Sequence, residues 1–257
     1  MTRRPLRVLC LHGWRTNSRV LEFQTSALRH AFGSSADFVY VNAPWTASGP
    51  VPDVVRLFFG DSGPYYQWWD AQTHSSDSHS YSHSCCGSSN ATRLRRYDGF
   101  QRSLDCLTSQ IDALGPFDVV LGFSQGAAMA TLLTAHYLSR SPPSSSSSSF
   151  DSLVPYKVCV LVAGFDPETP ETLEMLLDGG RASVEGTLDV PSVHVVGTTD
   201  TVVTAFKSQK LMQRFASSGR VRFEHDGGHE FPSRVKCRKL YRDIAEHVLS
   251  ITGQAQT

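Results

Sequence analysis

Ser124 is the residue of this chain best placed to do chemistry, because it stands at the centre of the pentapeptide Gly122-Phe123-Ser124-Gln125-Gly126. An apolar run precedes the pentapeptide and an alanine-rich run follows it, which predicts a strand, a sharp turn and a helix. The small residues on either side would let strand and helix approach. The start of the helix would direct N–H groups and the positive end of its dipole at the serine oxygen. This context favours a nucleophile elbow over a structural turn.

A serine hydroxyl is a weak nucleophile and needs a base that a third group orients. With an elbow of this kind, the acid and then the histidine follow the serine along the chain. The predicted strand 192–197 runs into Asp200, and the strand 220–225 runs into a Gly-Gly loop that carries His229. Open α/β sheets place their sites at the carboxyl ends of parallel strands. Asp200 and His229 are therefore the predicted acid and base.

Each of these roles has a competitor. Asp166 follows the strand 157–163 and is the alternative acid, although the Pro-Glu-Thr sequence after it is more typical of a helix-capping turn. His225 is the alternative base, but its place inside a strand favours a packed or surface histidine. His194 alternates within another strand and is interpreted as structural.

An oxyanion hole needs two backbone donors. The elbow supplies the N–H of Gln125. The loop after the first strand would supply the second, because Gly13 allows a tight turn that exposes the N–H of Trp14. The alternative is that Gly13 simply ends the strand. Loss of one such donor typically raises the barrier by about 2.7–4 kcal/mol.

The elements that must position these residues alternate between short β-branched runs and amphipathic helical stretches. This alternation predicts an α/β fold, with a mostly parallel sheet of about six strands and helices on both faces. The predicted strands are 6–12, 37–42, 118–122, 157–163, 192–197 and 220–225, and the predicted helices are 19–32, 97–113, 125–139, 203–217 and 233–250. The helix 97–113 would bury Phe100, Leu104, Leu107 and Ile111 on one face.

Two segments, 71–92 and 141–150, break this pattern, because they are rich in serine and poor in apolar side chains. We expect both to be mobile surface insertions in a single domain that spans 1–257. The first contains potential metal ligands: His74, His79, His83, Cys85 and Cys86. Zinc needs ligands in a rigid tetrahedral frame, which a low-complexity stretch does not offer, so no metal is expected.

Composition excludes several classes of partner. Lys and Arg number 24 and Asp and Glu number 24 in the 257 residues, so the net charge is zero and no nucleic-acid partner is expected. No apolar run reaches transmembrane length, and the run 8–11 is too short for a signal-peptide core, so no membrane partner is expected. The six cysteines show no disulfide spacing, which favours reduced thiols and a cytoplasmic location.

The motifs together resemble the FSH family of serine hydrolases. They comprise the Leu-His-Gly end of the first strand, the elbow, the Gly-Thr-Thr-Asp and Gly-Gly-His-Glu-Phe-Pro loops, and intermediate stretches at 38–44, 63–69 and 115–118. The resemblance runs from about residue 6 to about residue 247. It implies a compact α/β-hydrolase fold, cleavage of carboxylic esters or thioesters without metal or cofactor, and triad roles for Ser124, Asp200 and His229. The serine-rich insertions and Trp14 depart from the family pattern.

One branch of that family comprises fungal thioesterases that release polyketide chains from an acyl-carrier domain of a synthase. The stretch 64–68 is similar to that branch, which implies a biosynthetic thioesterase or esterase with a possible acyl-carrier partner; a general carboxylesterase is the alternative. Tyr65, Tyr66 and Trp68 are candidate lining residues of an acyl pocket, with packing against the sheet as the alternative. A non-catalytic binding protein on the same fold is the hypothesis of another class, and labelling of Ser124 by a fluorophosphonate would distinguish it.

Overall fold

The computed structural model describes residues 4–60, 63–73, 95–140, 154–181, 183 and 186–254. The strands are β1 (Leu6–Leu11), β2 (Ala36–Val41), β3 (Trp45–Thr46), β4 (Tyr66–Gln67), β5 (Asp70–Thr73), β6 (Arg95–Asp98), β7 (Val119–Phe123), β8 (Val158–Val162), β9 (Ser192–Gly197) and β10 (Arg220–His225). The α-helices are α1 (Ser18–Gln24), α2 (Ser26–Phe32), α3 (Asp53–Phe59), α4 (Phe100–Leu114), α5 (Gln125–Ser139), α6 (Leu173–Gly180), α7 (Ala205–Met212) and α8 (Arg238–Ile251).

The central sheet contains six strands in the order β10-β9-β8-β7-β1-β2, and every neighbouring pair is parallel. The order in which the chain adds strands to the sheet reverses at β1, because β2 lies on one side of β1 and β7 lies on the other. Such a switch point leaves a crevice beyond the carboxyl ends of the two strands, where α/β proteins bind ligands. The predicted fold class is confirmed.

Apolar side chains of alternating orientation place a core on each face of the sheet. Leu9, Leu11 and Val120 belong to the core that α4, α5 and α6 cover. Val8 and Leu121, one residue away on the same strands, belong to the opposite core with α1, α2 and α8. This period of two follows from the pleat of a strand buried on both faces.

Several predicted boundaries are corrected by the structure. The predicted helix 19–32 is two helices that meet at Thr25, whose hydroxyl donates to the Leu21 carbonyl. The predicted helix 97–113 begins only at Phe100, because β6 pairs antiparallel with β5. The predicted helix 203–217 is shorter at both ends and spans 205–212. The predicted helix 233–250 begins five residues later and spans 238–251.

The buried face of α4 agrees with its prediction, since Leu104, Leu107 and Ile111 are buried and Phe100 packs against the same core. Helices α3 and α6 and strands β3 to β6 were not predicted, because each is too short to show a clear period. The first residues of the expected insertion 71–92 lie in a strand, since 71–73 belong to β5. Residues 74–92 and 141–150 lie outside the described residues.

Candidate active site

Ser124 occupies a strained turn between β7 and α5. Its backbone has φ 53° and ψ −116°, a conformation that L-residues with a side chain adopt at a cost of about 1–3 kcal/mol. The flanking glycine makes the turn possible, because a Cβ on Gly126 would lie 2.1 Å from the backbone oxygen of Leu11. The Ser124 N–H donates to the Val162 carbonyl at 2.9 Å, which ties the turn to β8.

A chain of hydrogen bonds joins the three residues that the sequence singles out. His229 Nε2 lies 2.9 Å from Ser124 Oγ, and His229 Nδ1 lies 2.7 Å from Asp200 Oδ2. An ionised carboxylate only accepts hydrogen bonds, so this arrangement places the ring proton on Nδ1. Nε2 is then free to accept the hydroxyl proton of Ser124. The structure thus brings together residues from the ends of β7, β9 and β10.

Asp200 is held on its other oxygen as well. Oδ1 accepts the backbone N–H groups of Val202 and Val203, each at 2.8 Å. The carboxylate is buried, so these donors and the imidazole replace the water that it loses on folding. Both its oxygens therefore have fixed partners, and Oδ2 points at His229.

The loop that carries His229 is tied to the loop that carries Asp200. The N–H of Thr198 donates to the His225 carbonyl at 2.9 Å, and the N–H of Thr199 donates to the Gly227 carbonyl at 3.2 Å. The ring of Phe123 packs against the imidazole of His229, with the ring centroids 5.3 Å apart. These backbone bonds and this ring contact set the position of the histidine.

The competitors lie elsewhere. Asp166 forms a two-point ion pair with Arg214, at 3.0 and 2.9 Å, and does not contact His229. In the turn that follows it before α6, Thr169 Oγ1 accepts the N–H of Thr172 at 3.3 Å. His225 ends β10, and its Nδ1 accepts the N–H of Gly227 at 3.2 Å. His194 is buried and bonded to Ser192 Oγ at 3.0 Å, and burial lowers its pKa to about 3, consistent with a structural role.

The loop after β1 is organised by a buried histidine. His12 Nδ1 donates to the Gly13 carbonyl at 2.7 Å, and its Nε2 accepts the N–H of Ala43 at 3.1 Å. Burial lowers the pKa of His12 to about 4, so the ring is neutral at pH 7 and can accept as well as donate. The Thr16 hydroxyl donates to the same Gly13 carbonyl at 2.7 Å. The loop that carries the predicted oxyanion donor is therefore fixed from within.

The strained residue in this loop is Arg15, with φ 54°, and not Gly13 as the sequence suggests. Gly13 lacks a side chain for another reason, since a Cβ there would lie 2.9 Å from the ring of Phe123. The Arg15 guanidinium stacks 3.9 Å above the ring of Trp14. The Trp14 side chain is 44% exposed, and its indole N–H donates to Gln67 Oε1 at 2.8 Å.

The start of α5 provides the other predicted donor. The helix begins at Gln125, and the first N–H groups of a helix have no acceptor within it. The side chain of Gln125 is buried and bonded to the backbone of Trp68 and Trp69, at 2.9 Å each. Sequence reasoning assigned this residue only its backbone, and no local pattern reveals the side-chain contact.

The three aromatic pocket candidates divide in the structure. Trp68 has no exposed surface and donates its indole N–H to the His12 carbonyl, so the expectation that it lines a pocket is corrected. Tyr65 is buried with Val20 and Val55, and its hydroxyl donates to the Gly60 carbonyl. Tyr66 is half-buried and lies beside the ring of His12, with centroids 6.4 Å apart. Of the three, Tyr66 retains accessible surface next to the candidate site.

Potential metal ligands and apolar helices are spread through the described part of the chain. Its His, Cys, Asp and Glu side chains form no group of three that could hold a metal ion. The five potential ligands in the first insertion, His74, His79, His83, Cys85 and Cys86, lie outside the described residues. None of the helices described here is long and apolar enough to cross a membrane.

The parallel six-stranded sheet, the strained serine between β7 and α5, and the histidine and carboxylate at later strand ends define the α/β-hydrolase class. A family model described as serine hydrolase (FSH1) matches residues 1–240 of the chain. The chain therefore belongs to this family, as the sequence motifs indicate, and the protein is a hydrolase.

Individual relatives agree with this assignment. Esterase OVCA2 of Homo sapiens is 32% identical over 242 residues, covering 93% of this chain and 94% of its own. Esterase FPY3 of Fusarium mangiferae is 32% identical over 251 residues, covering 97% and 98%. The crystal structure of Zea mays acyl-protein thioesterase 2 superposes with a TM-score of 0.55 at 16% identity, over 96% of this chain and 95% of that one. This last likeness shows the fold alone.

Proposed function

We propose that the protein cleaves a carboxylic thioester or ester through an acyl-enzyme formed on Ser124, with His229 as base and Asp200 as the orienting acid. The observation that carries this proposal is the hydrogen-bond chain from Ser124 Oγ through both nitrogens of His229 to the buried Asp200. The family and its esterase-named members supply the reaction class.

In the first half-reaction, Ser124 Oγ attacks the acyl carbonyl carbon and its proton passes to His229 Nε2. The backbone N–H groups of Trp14 and Gln125 stabilise the oxyanion. Trp14 follows β1 and Gln125 follows β7, and these two neighbouring strands border the switch point. Asp200 stabilises the imidazolium through Nδ1–H. The proton then passes to the leaving thiol or alcohol as the carbonyl re-forms. Water attacks the acyl-enzyme by the reverse sequence, again through His229.

For the substrate, we propose an acyl thioester or ester of a fungal biosynthetic pathway, with release of a polyketide or related acyl chain. The similarity of stretch 64–68 to the polyketide-releasing branch supports this choice. An acyl-carrier domain would then be the partner that presents the acyl group. The protein would act in the cytoplasm, as the cysteine pattern predicts.

A general carboxylesterase is the second candidate, and the names of the relatives favour it. Esterase OVCA2 and Esterase FPY3 are both named for ester cleavage. The same triad would serve this function, so the two candidates differ only in the leaving group and in whether a carrier protein takes part.

The deciding experiment measures hydrolysis of one acyl chain presented as a matched thioester and oxygen ester. Wild type and Ser124→Ala are compared, with Ser109→Ala, an exposed serine on α4, as the matched control. We expect Ser124→Ala to lose both activities by at least about a thousand-fold and Ser109→Ala to lose neither.

A thioester preference well beyond the intrinsic lability of that bond would support release from an acyl carrier. Equal or better use of the oxygen ester would favour the general carboxylesterase. Wild-type rates in Ser124→Ala would refute the proposed nucleophile for either function.

A further inference from the structure

Residues Gln67, Trp68 and Trp69 form a buried segment, here termed the 67–69 brace, that lies between the elbow and the loop after β1. The side chains of Trp68 and Trp69 are both almost fully buried, and Gln67 is buried as well. On its far side, Ser103 of α4 donates to the Trp68 carbonyl, and Tyr97 stacks on Trp69 with centroids 4.5 Å apart. The brace is therefore held in place independently of the elbow.

The elbow is hydrogen-bonded to this brace through one side chain. Gln125 Oε1 accepts the N–H of Trp68 at 2.9 Å, and Gln125 Nε2 donates to the carbonyl of Trp69 at 2.9 Å. The amide thus uses both ends, as donor and acceptor, on backbone groups of two consecutive residues. A carboxamide is the side-chain group that satisfies such a pair in this orientation.

The brace is also hydrogen-bonded to the loop after β1. The Trp68 indole N–H donates to the His12 carbonyl at 2.8 Å, and Gln67 Oε1 accepts the Trp14 indole N–H at 2.8 Å. One short segment thus bonds to the residue that opens α5 and to two residues of the loop that carries the other predicted oxyanion donor.

We propose that the Gln125 carboxamide is a positioning residue, which through its two bonds to the 67–69 brace holds the start of α5 and the His12–Trp14 loop in one fixed relation. The two backbone N–H groups then converge on the same oxyanion. This inference rests on the proposed function, because it presumes that Trp14 and Gln125 supply those donors.

The physical reason is that the oxyanion donors start from different elements, and no covalent link nearby fixes the distance between them. Hydrogen bonds to a developing oxyanion stabilise the transition state only when donors lie in place before the reaction. A misplacement on the order of 1 Å can cost about a hundred-fold in rate. Loosening the brace from α5 should therefore lower kcat while leaving substrate binding nearly unchanged.

The test compares kcat, KM and folding in wild type, Gln125→Met and Gln125→Glu. Methionine keeps the length of the side chain but removes both bonds, so we expect kcat to fall about 10- to 100-fold with KM within about three-fold. Gln101→Met, at an exposed position on α4, is the matched control and should match wild type. Ser103 and Tyr97 still hold the brace, so the variant should fold.

Gln125→Glu adds a readout that a purely structural role would not give. A protonated carboxyl can donate to the Trp69 carbonyl and accept from the Trp68 N–H, reproducing both bonds of the amide. An ionised carboxylate would instead face the Trp69 carbonyl oxygen and repel it. Burial raises the pKa of the introduced carboxyl. We expect its kcat relative to wild type to be near one at about pH 6 and to fall as the pH rises towards about 9.

The outcomes separate the two proposals. If Ser124→Ala retains wild-type activity, the proposed function fails. If Ser124→Ala is inactive but Gln125→Met keeps kcat within about two-fold of wild type, only the positioning role is overturned. A Gln125→Glu to wild-type ratio that stays flat across the pH range would overturn it too, and this variant remains informative should Gln125→Met fail to fold.

Discussion

Replacing Asp200 by asparagine should disable the site by changing which nitrogen of His229 carries the proton. Two backbone N–H groups point at Oδ1, from Val202 and Val203 at 2.8 Å each, and they require an acceptor. An introduced amide must therefore turn its oxygen towards them and its NH2 towards His229. The histidine Nδ1 then has to accept, so its proton moves to Nε2, which faces Ser124 and can no longer act as a base.

The magnitude follows from the loss of a base in the correct tautomer. In serine-protease triads this substitution lowers kcat about ten-thousand-fold, which corresponds to about 5.5 kcal/mol of barrier. We expect kcat of Asp200→Asn to fall at least about a thousand-fold, with KM within about three-fold. The variant should fold, because asparagine has the same shape and keeps both bonds from Val202 and Val203.

The assay is steady-state hydrolysis of a chromogenic ester, with circular dichroism and thermal unfolding to check the fold. Asp166→Asn is the matched control, because Asp166 is the competing acid in the sequence and pairs with Arg214 instead. Its kcat should stay within about three-fold of wild type. Activity of folded Asp200→Asn within about ten-fold of wild type, or an equal loss in Asp166→Asn, would refute the reasoning.

Two further predictions concern stability. Gly126→Ala would place a methyl group 2.1 Å from the Leu11 carbonyl oxygen, and should lower the free energy of unfolding in urea by at least about 1–3 kcal/mol; an unchanged midpoint would contradict this packing. Burial lowers the pKa of His12 to about 4 and of His194 to about 3. Both therefore bind protons only in the unfolded state between about pH 6.5 and about pH 4. The free energy of unfolding should fall as the pH drops through this range, by on the order of 3 kcal/mol for each histidine. Urea titrations should show a shallower fall in His194→Gln, whereas exposed His30→Gln should keep the wild-type slope; equal slopes in all three proteins would contradict the assignment.

The strands of the central sheet were predictable within about one residue, because each is a short β-branched run that the pleat buries on both faces. The elbow was equally predictable, since its chemistry lies in five consecutive residues. Short elements were not. Strands β5 and β6 pair with each other although the chain between them is long, and Tyr97 was placed in a helix because nothing in its neighbours reveals that partner.

The role of the candidate pocket residues also could not be decided from the sequence. Aromatic residues near a site are equally compatible with lining a pocket and with packing. Trp68 is packed, and its indole N–H donates to the carbonyl of His12, a residue far away in the chain. Gln125 was recognised for its backbone, while its side-chain role depends on Trp68 and Trp69, which are brought to it by folding.

The sequence by itself determined the six strands of the central sheet, the sharp turn at Ser124 and the set of residues that follow strand ends. Those features depend on local periodicity and on residues close together in the chain. Only the tertiary structure decided which of them meet. His229 reaches Asp200 across 29 positions and Ser124 across 105. Contacts of that separation have no local signature, because they form only when the sheet aligns the carboxyl ends of its strands.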